Sequence, residues 1–183
     1  EQNVLDVVEE WSILSFSWKW LGEPTIHCET VQHQSEKALL KKLWRLMDQA
    51  DIVIAHNGNK FDNRKTNARF VLQDIFKRKP PSPYTSIDTR LVARRYFAFD
   101  SNSLDDLAKA FGLGTKLKHR LGFDLWKGVL ANEPAMWKIM IDYNKHDVFL
   151  LEGVYLILRP WMTNHPSVIH IEGRPDGCPT CGF

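Results

Sequence analysis

The spacing of apolar positions changes several times along the chain, and each change predicts a change of element. Ile13 to Trp20 alternates loosely and is rich in aromatic residues, Gly22-Glu23-Pro24 makes a turn, and Thr25 to Val31 is a second β-prone run. Two such runs around a turn predict a hairpin. From Ser35 the period lengthens: Leu39, Leu40, Leu43, Trp44 and Met47 recur at helical spacing behind a residue suited to capping the first turn. Asp51-Ile52-Val53-Ile54-Ala55 then carries a continuous apolar run, the pattern of a parallel strand covered on both faces. A helix is predicted from Phe61-Asp62 to about Phe76, stopped by the proline-rich stretch Pro80 to Pro83.

Further on, Ser86-Ile87-Asp88-Thr89 reads as a short strand leading into a helix that runs through Tyr96. Ser103-Leu104-Asp105-Asp106 has the form of a capping box, and Gly112 or Gly114 closes the short helix behind it. A basic loop, Lys116 to Arg120, comes next. Asn132-Glu133-Pro134 opens a helix carrying Tyr143 and Asp147, which continues or restarts through Leu158 before Pro160 stops it. The tail from Thr163 is rich in Pro and Gly and reads as a linker. There is no internal repeat. A hairpin followed by alternating helices and strands predicts an α/β fold with a central mixed sheet flanked by helices.

With 183 residues, 44% of them hydrophobic and seven of them Trp, the chain can bury one good-sized core, so one domain is expected. The net charge of +2 says little, but its distribution is uneven. Ten Lys and Arg face three Asp and Glu between Lys60 and Arg95, while the remainder holds fourteen basic and nineteen acidic residues. A basic stretch beside carboxylates suits a phosphodiester substrate; a solvated helix face would show the same charges. Apolar runs are short and interrupted by charge, so nothing in this sequence resembles a signal peptide or a membrane span. Three cysteines without a secretory signal predict a reducing, cytoplasmic setting, and Cys28, alone in a strand-like segment, reads as a buried thiol.

The chemistry is carried by two runs, His56-Asn57-Gly58-Asn59-Lys60-Phe61-Asp62 and Tyr143-Asn144-Lys145-His146-Asp147. Asp62 sits at a strand-to-helix junction, and Tyr143 lies four residues before Asp147 on one helical face. Phosphodiester hydrolysis needs an activated water and stabilised charge on attacking and leaving oxygens. Two divalent ions about 3.5–4 Å apart supply both, and Mg²⁺ or Mn²⁺ takes carboxylate oxygen. Asp62 and Asp147 are the candidate metal carboxylates, with Tyr143 placed to orient the water. Taken singly, Asp62 also suits an N-cap and Tyr143 a core aromatic with a satisfied hydroxyl.

In order and in element, these runs resemble the second and third motifs of the DEDDy 3′–5′ exonucleases, a class with the ribonuclease H-like fold. The resemblance covers about Trp11 to Trp161. It implies catalytic roles for Asp62, Tyr143 and Asp147, with Asn57 and Phe61 lining the pocket of the terminal nucleotide. Asn59, Lys60, Arg64 and Lys65 would join them in binding nucleic acid. Ser103-Leu104-Asp105-Asp106-Leu107 is similar to the segment before the third motif in family-B polymerases. His146 adjoins Asp147, whereas the DEDDh group places its His five residues earlier, where this chain has Asp142. The chain looks most like small phage and prophage exonucleases with a short zinc-ribbon tail. That implies single-stranded or frayed DNA 3′ ends as partner, and the cytoplasm of a bacterial or phage-infected cell. Cys178-Pro179-Thr180-Cys181-Gly182 would be the first knuckle of the ribbon, half of a four-ligand Zn²⁺ site. Residues 1–162 are thus expected to form the exonuclease domain, and 163–183 the linker with an incomplete CPxC knuckle.

One motif is missing. The family's first strand carries Asp-x-Glu, whose side chains share a face, but Asp6 and Glu9 are spaced so that they face opposite ways in a strand. The simplest expectation is a fragment without its first strand and the second half of its ribbon. Catalysis by these residues alone is then expected to be absent or severely reduced. The competing expectation is a non-catalytic nucleic-acid-binding module using Lys60, Arg64, Lys65 and Arg69 with stacking aromatics. An RNA substrate or a zinc-stabilised interaction domain are further readings.

Overall fold

The structure is a computed structural model that describes residues 10–117 and 121–167. It opens with the expected hairpin, β1 (Ser15–Trp18) paired antiparallel with β2 (His27–Thr30). Gly22 carries the turn at φ 85°, a backbone angle open to Gly at no steric cost. Helix α1 (Glu36–Gln49) follows, and the Ser35 hydroxyl accepts from the N–H of Ala38, as its position predicts. Strand β3 (Ile52–Ala55) pairs in parallel with β4 (Thr85–Asp88), in the register Ala55 against Asp88. Between them lies α2 (Asp62–Leu72), and β4 runs directly into α3 (Thr89–Tyr96). Then come α4 (Leu104–Ala110), α5 (Phe123–Leu130) and α6 (Pro134–Leu158). The fold is α/β, with one antiparallel and one parallel strand pair among the described residues, flanked by helices.

Helix α6 organises the rest. Its 25 residues span about 37 Å at 1.5 Å per residue. Trp137 and Met140 in its first half pack with Leu125 and Val129 of α5. Leu150, Val154, Tyr155 and Leu158 in its second half form the main core with Ile87, Ala93, Leu104 and Leu107. The polar stretch Asp142 to Asp147 lies between two anchored ends, so its side chains are held rather than frayed. Hairpin β1–β2 docks on the same helix: Lys19 pairs with Glu152 at 2.6 Å, and Asn144 Nδ2 donates to Ser15 Oγ at 2.6 Å. A second core joins Leu39, Leu40, Trp44 and Met47 of α1 to Phe70 and Ile75.

Two expectations are corrected. Helix α2 stops at Leu72 rather than near Phe76, because Asp74 enters the left-handed region at φ 50°. Phe76 and Lys77 are left-handed too, an unfavourable backbone that lets Ile75 bury fully and Phe76 reach Trp44, ring centres 4.5 Å apart. Helix α5 is absent from the sequence-based expectation. Eight residues with Gly128 inside them give a weak helical signal, and packing on α6 decides the outcome: a Cβ at Gly128 would collide with Met136. The segment with Asp6 and Glu9, and Cys178 and Cys181 of the zinc knuckle, lie outside the described residues.

Candidate active site

The ends of β3 and β4 lie side by side, and the segment from His56 to Phe61 turns over them into α2. Asp88 builds this turn. Its carboxylate is buried and accepts from the backbone N–H of Asn57 (2.8 Å) and Asn59 (3.2 Å). It also caps α3 through the N–H groups of Arg90 and Leu91. Four donors on one carboxylate offset its burial. Asn57 takes φ 64°, a left-handed angle that Asn tolerates better than most residues. Gly58 lets the turn close, since a Cβ there would stand 2.5 Å from that of Ala55.

The side chains of this turn divide between inside and outside. Asn59 faces inward: its Oδ1 accepts from Ser86 Oγ (2.5 Å) and Asn63 Nδ2 (3.1 Å). His56 is half-buried, with Nδ1 2.9 Å from Thr89 Oγ1 and Nε2 3.1 Å from the carbonyl of Asn102. Burial lowers its pKa; Nε2 donates to the Asn102 carbonyl, while the Thr89 hydroxyl also reaches the Ala55 carbonyl at 3.2 Å. Lys60, Phe61, Asp62 and Arg64 are exposed. Asp62 is the first residue of α2; partial desolvation of its carboxyl raises the pKa, its own backbone N–H opposes this, and the charge of Asp88 adds to the rise. Lys65 lies over the Trp11 ring at 5.3 Å. Arg69 does not join this basic surface. It is buried, gripping both oxygens of Glu36 at 2.9 and 2.5 Å and reaching Glu10 at 3.1 Å.

On α6, Tyr143 and Asp147 project together, and Lys116 joins them. The Lys116 ammonium is 2.8 Å from Asp147 Oδ2 and 3.4 Å from the Tyr143 hydroxyl, and stands 5.4 Å from the centre of the Tyr143 ring. Desolvation is the largest influence on this ammonium and pulls its pKa down. The bond to Asp147 and its charge, with a further contribution from Tyr143, outweigh that, and the net shift is upward. The other oxygen, Asp147 Oδ1, is buried without a hydrogen-bond partner. His146 Nε2 donates to the carbonyl of Thr115 at 2.7 Å, which fastens the loop before Lys116 to the helix.

The Asp147 carboxylate, with one oxygen on an ammonium and the other without a partner, supplies hard oxygen of the kind a divalent cation takes. Among the described residues no three His, Cys, Asp or Glu gather as a metal cluster. Asp62 answers electrostatically to Asp88, and Asp147 to Lys116. Asp88 and Lys116 adjoin the candidate residues and lie outside the two sequence runs. A strand-ending Asp before a helix is a cap signal that points to the first; nothing local marks the second, which acts across 31 residues.

The architecture among the described residues is α/β, two small strand pairs with helices around them. The chain belongs to the RNase H superfamily, whose family model matches residues 20–159. No curated protein matches it significantly. Members of this superfamily are generally nucleolytic enzymes, and its nucleases typically use divalent metals. Among the described residues no helix is long and apolar enough to cross a membrane.

Proposed function

We propose that this domain is a metal-dependent 3′–5′ exonuclease of the DEDDy type, acting on single-stranded or frayed DNA ends. The observation that carries the reading is the convergence of Tyr143 and Asp147, one helical turn apart, on a single cation position now held by Lys116. Asp147 and Asp62 are the residues that would hold Mg²⁺ or Mn²⁺. Such an ion, when bound, supplies charge neutralisation at the phosphate and a more acidic water. The protein's own groups do the remainder. Tyr143 orients the attacking water through its hydroxyl. Lys60 and Arg64, exposed at the start of α2, neutralise backbone phosphates. Phe61, 51% exposed beside Asp62, offers a ring for the terminal base. Asp88 holds the turn that presents Asn57, Phe61 and Asp62.

Two candidate carboxylates imply a slow reaction, so the test uses Mn²⁺ and the protein in excess over DNA. Linear single strands with a 5′ label should shorten stepwise while circular single strands of the same sequence stay intact. Linearised circles would point to an endonuclease and overturn the reading. A non-catalytic binding module is the second reading, favoured by the ammonium already neutralising Asp147. It predicts DNA binding with no shortening.

A further inference from the structure

We propose that Lys116 is a tethered counter-ion that a divalent metal must displace from Asp147, so that the loop carrying it gates metal entry. The inference rests on reading Asp147 as a metal ligand, and adds a control to that site.

Three features of the structure lead to it. First, the ammonium addresses both members of the pair, lying 2.8 Å from Asp147 Oδ2 and 3.4 Å from the Tyr143 hydroxyl. Second, its arrival there is built in. The Lys116 backbone N–H donates to Asp105 Oδ1 at 2.7 Å, and the preceding carbonyl, of Thr115, accepts from His146 at 2.7 Å. The loop is thus fastened to α4 on one side and α6 on the other. Gly112 and Gly114, at φ 71° and 106°, lie just before those fastenings. Third, the Asp147 side chain keeps 26% of its surface exposed although Oδ1 is closed to solvent, which leaves Oδ2 on the open side, where an entering cation meets it. That is the oxygen Lys116 holds.

A magnesium-sized ion binds carboxylate oxygen at about 2.0–2.1 Å. An ammonium hydrogen-bonded to the same oxygen would stand against it with like charge and little water between them to screen it. Metal and ammonium therefore exclude each other at Oδ2. When the metal enters, Lys116 leaves its bond to Asp147 and its nitrogen turns to solvent or to a substrate phosphate.

The experiment follows Lys116 directly in the full chain. Amine acylation at Lys116, read by peptide mass spectrometry, is compared with and without Mn²⁺, while Mn²⁺ binding is measured by electron paramagnetic resonance. The expected result is slow acylation without metal, and at least a several-fold faster reaction whose Mn²⁺ midpoint coincides with binding. Lys116→Met should tighten Mn²⁺ binding roughly tenfold, the scale of one charge-assisted hydrogen bond. Lys116→Gln provides the same comparison should the methionine variant fail to fold. If Asp147→Asn abolishes Mn²⁺ binding but Mn²⁺ leaves the acylation rate of the native chain unchanged, the gate is wrong and the metal-ligand reading stands. If Asp147→Asn binds Mn²⁺ like the native chain, Asp147 is not a ligand and both fall.

Discussion

Asp88 Oδ1 holds the backbone N–H of Asn57 at 2.8 Å, across the adjoining ends of two parallel strands. This bond sets the path of the turn that carries Phe61 and Asp62. The same carboxylate caps α3, so one side chain joins the turn to the helix behind it.

Replacing Asp88 should therefore be costly although it lies in neither sequence run. Asp88→Ala leaves two buried turn donors and two helix-start donors without their acceptor. The expected loss is about 2–4 kcal/mol, from charged hydrogen bonds and a lost N-cap together. Urea unfolding measures it; a change below about 0.5 kcal/mol would mean that water replaces the carboxylate easily.

Arg69 and Arg64 belong to one basic run in sequence and to different places in the structure. Arg69 is buried in a bidentate pair with Glu36, while Arg64 is exposed at the start of α2. Arg69→Met should lower stability by about 1.5–3 kcal/mol, because the half-buried Glu36 loses its ion pair while keeping the Ile13 N–H and Gln73. Among molecules that remain folded, its effect on DNA affinity should be small. Arg64→Ala should leave stability within about 0.5 kcal/mol. It should weaken single-strand binding and reduce the salt slope by about 0.7, the increment for one phosphate no longer neutralised. Reversed outcomes would show that the basic surface has been misplaced.

His56 should make stability depend on pH. Its folded pKa lies below the ordinary 6.5, chiefly because the ring is buried. Between the two values the unfolded chain binds a proton that the folded ring refuses, so stability falls as pH drops through about 6.5 and levels off below the folded pKa. Above pH 7 both states are neutral and this contribution is flat. His56→Gln retains a donor that can reach the Asn102 carbonyl and cannot titrate. The native chain should lose more stability than the variant between pH 7.5 and 5.5. Parallel losses would assign the acid sensitivity to other groups.

Local signals in the sequence place most elements: Ser35 and Ser103 do cap helices, Pro134 does open α6, and Asp51 to Ala55 does contain a parallel strand. The early end of α2 is not legible there, because burial of Ile75 and Phe76 outweighs local helix preference in the residues before them. Helix α5 is hidden for the converse reason, as tertiary packing stabilises a segment of only eight residues with Gly128 inside it. In the site, Tyr143 and Asp147 can be paired from their spacing alone. Lys116 cannot, because its position depends on α4, α6 and a glycine-containing loop together. Asn59 and Arg69 show the opposite limit. Their residue types suit nucleic acid, yet the fold turns the Asn59 amide and the Arg69 guanidinium into internal bonds.

The most direct test of the central claim follows a 5′-labelled single strand with Mn²⁺ and excess protein, using the native chain, Asp147→Ala and Asp62→Ala. The expected result is slow stepwise shortening from the 3′ end by the native chain. Each substitution should reduce it by at least about 100-fold, the scale expected when a group acting on transition-state charge is removed. Shortening that survives both substitutions, or none by a folded native chain that binds Mn²⁺ and DNA, would contradict it.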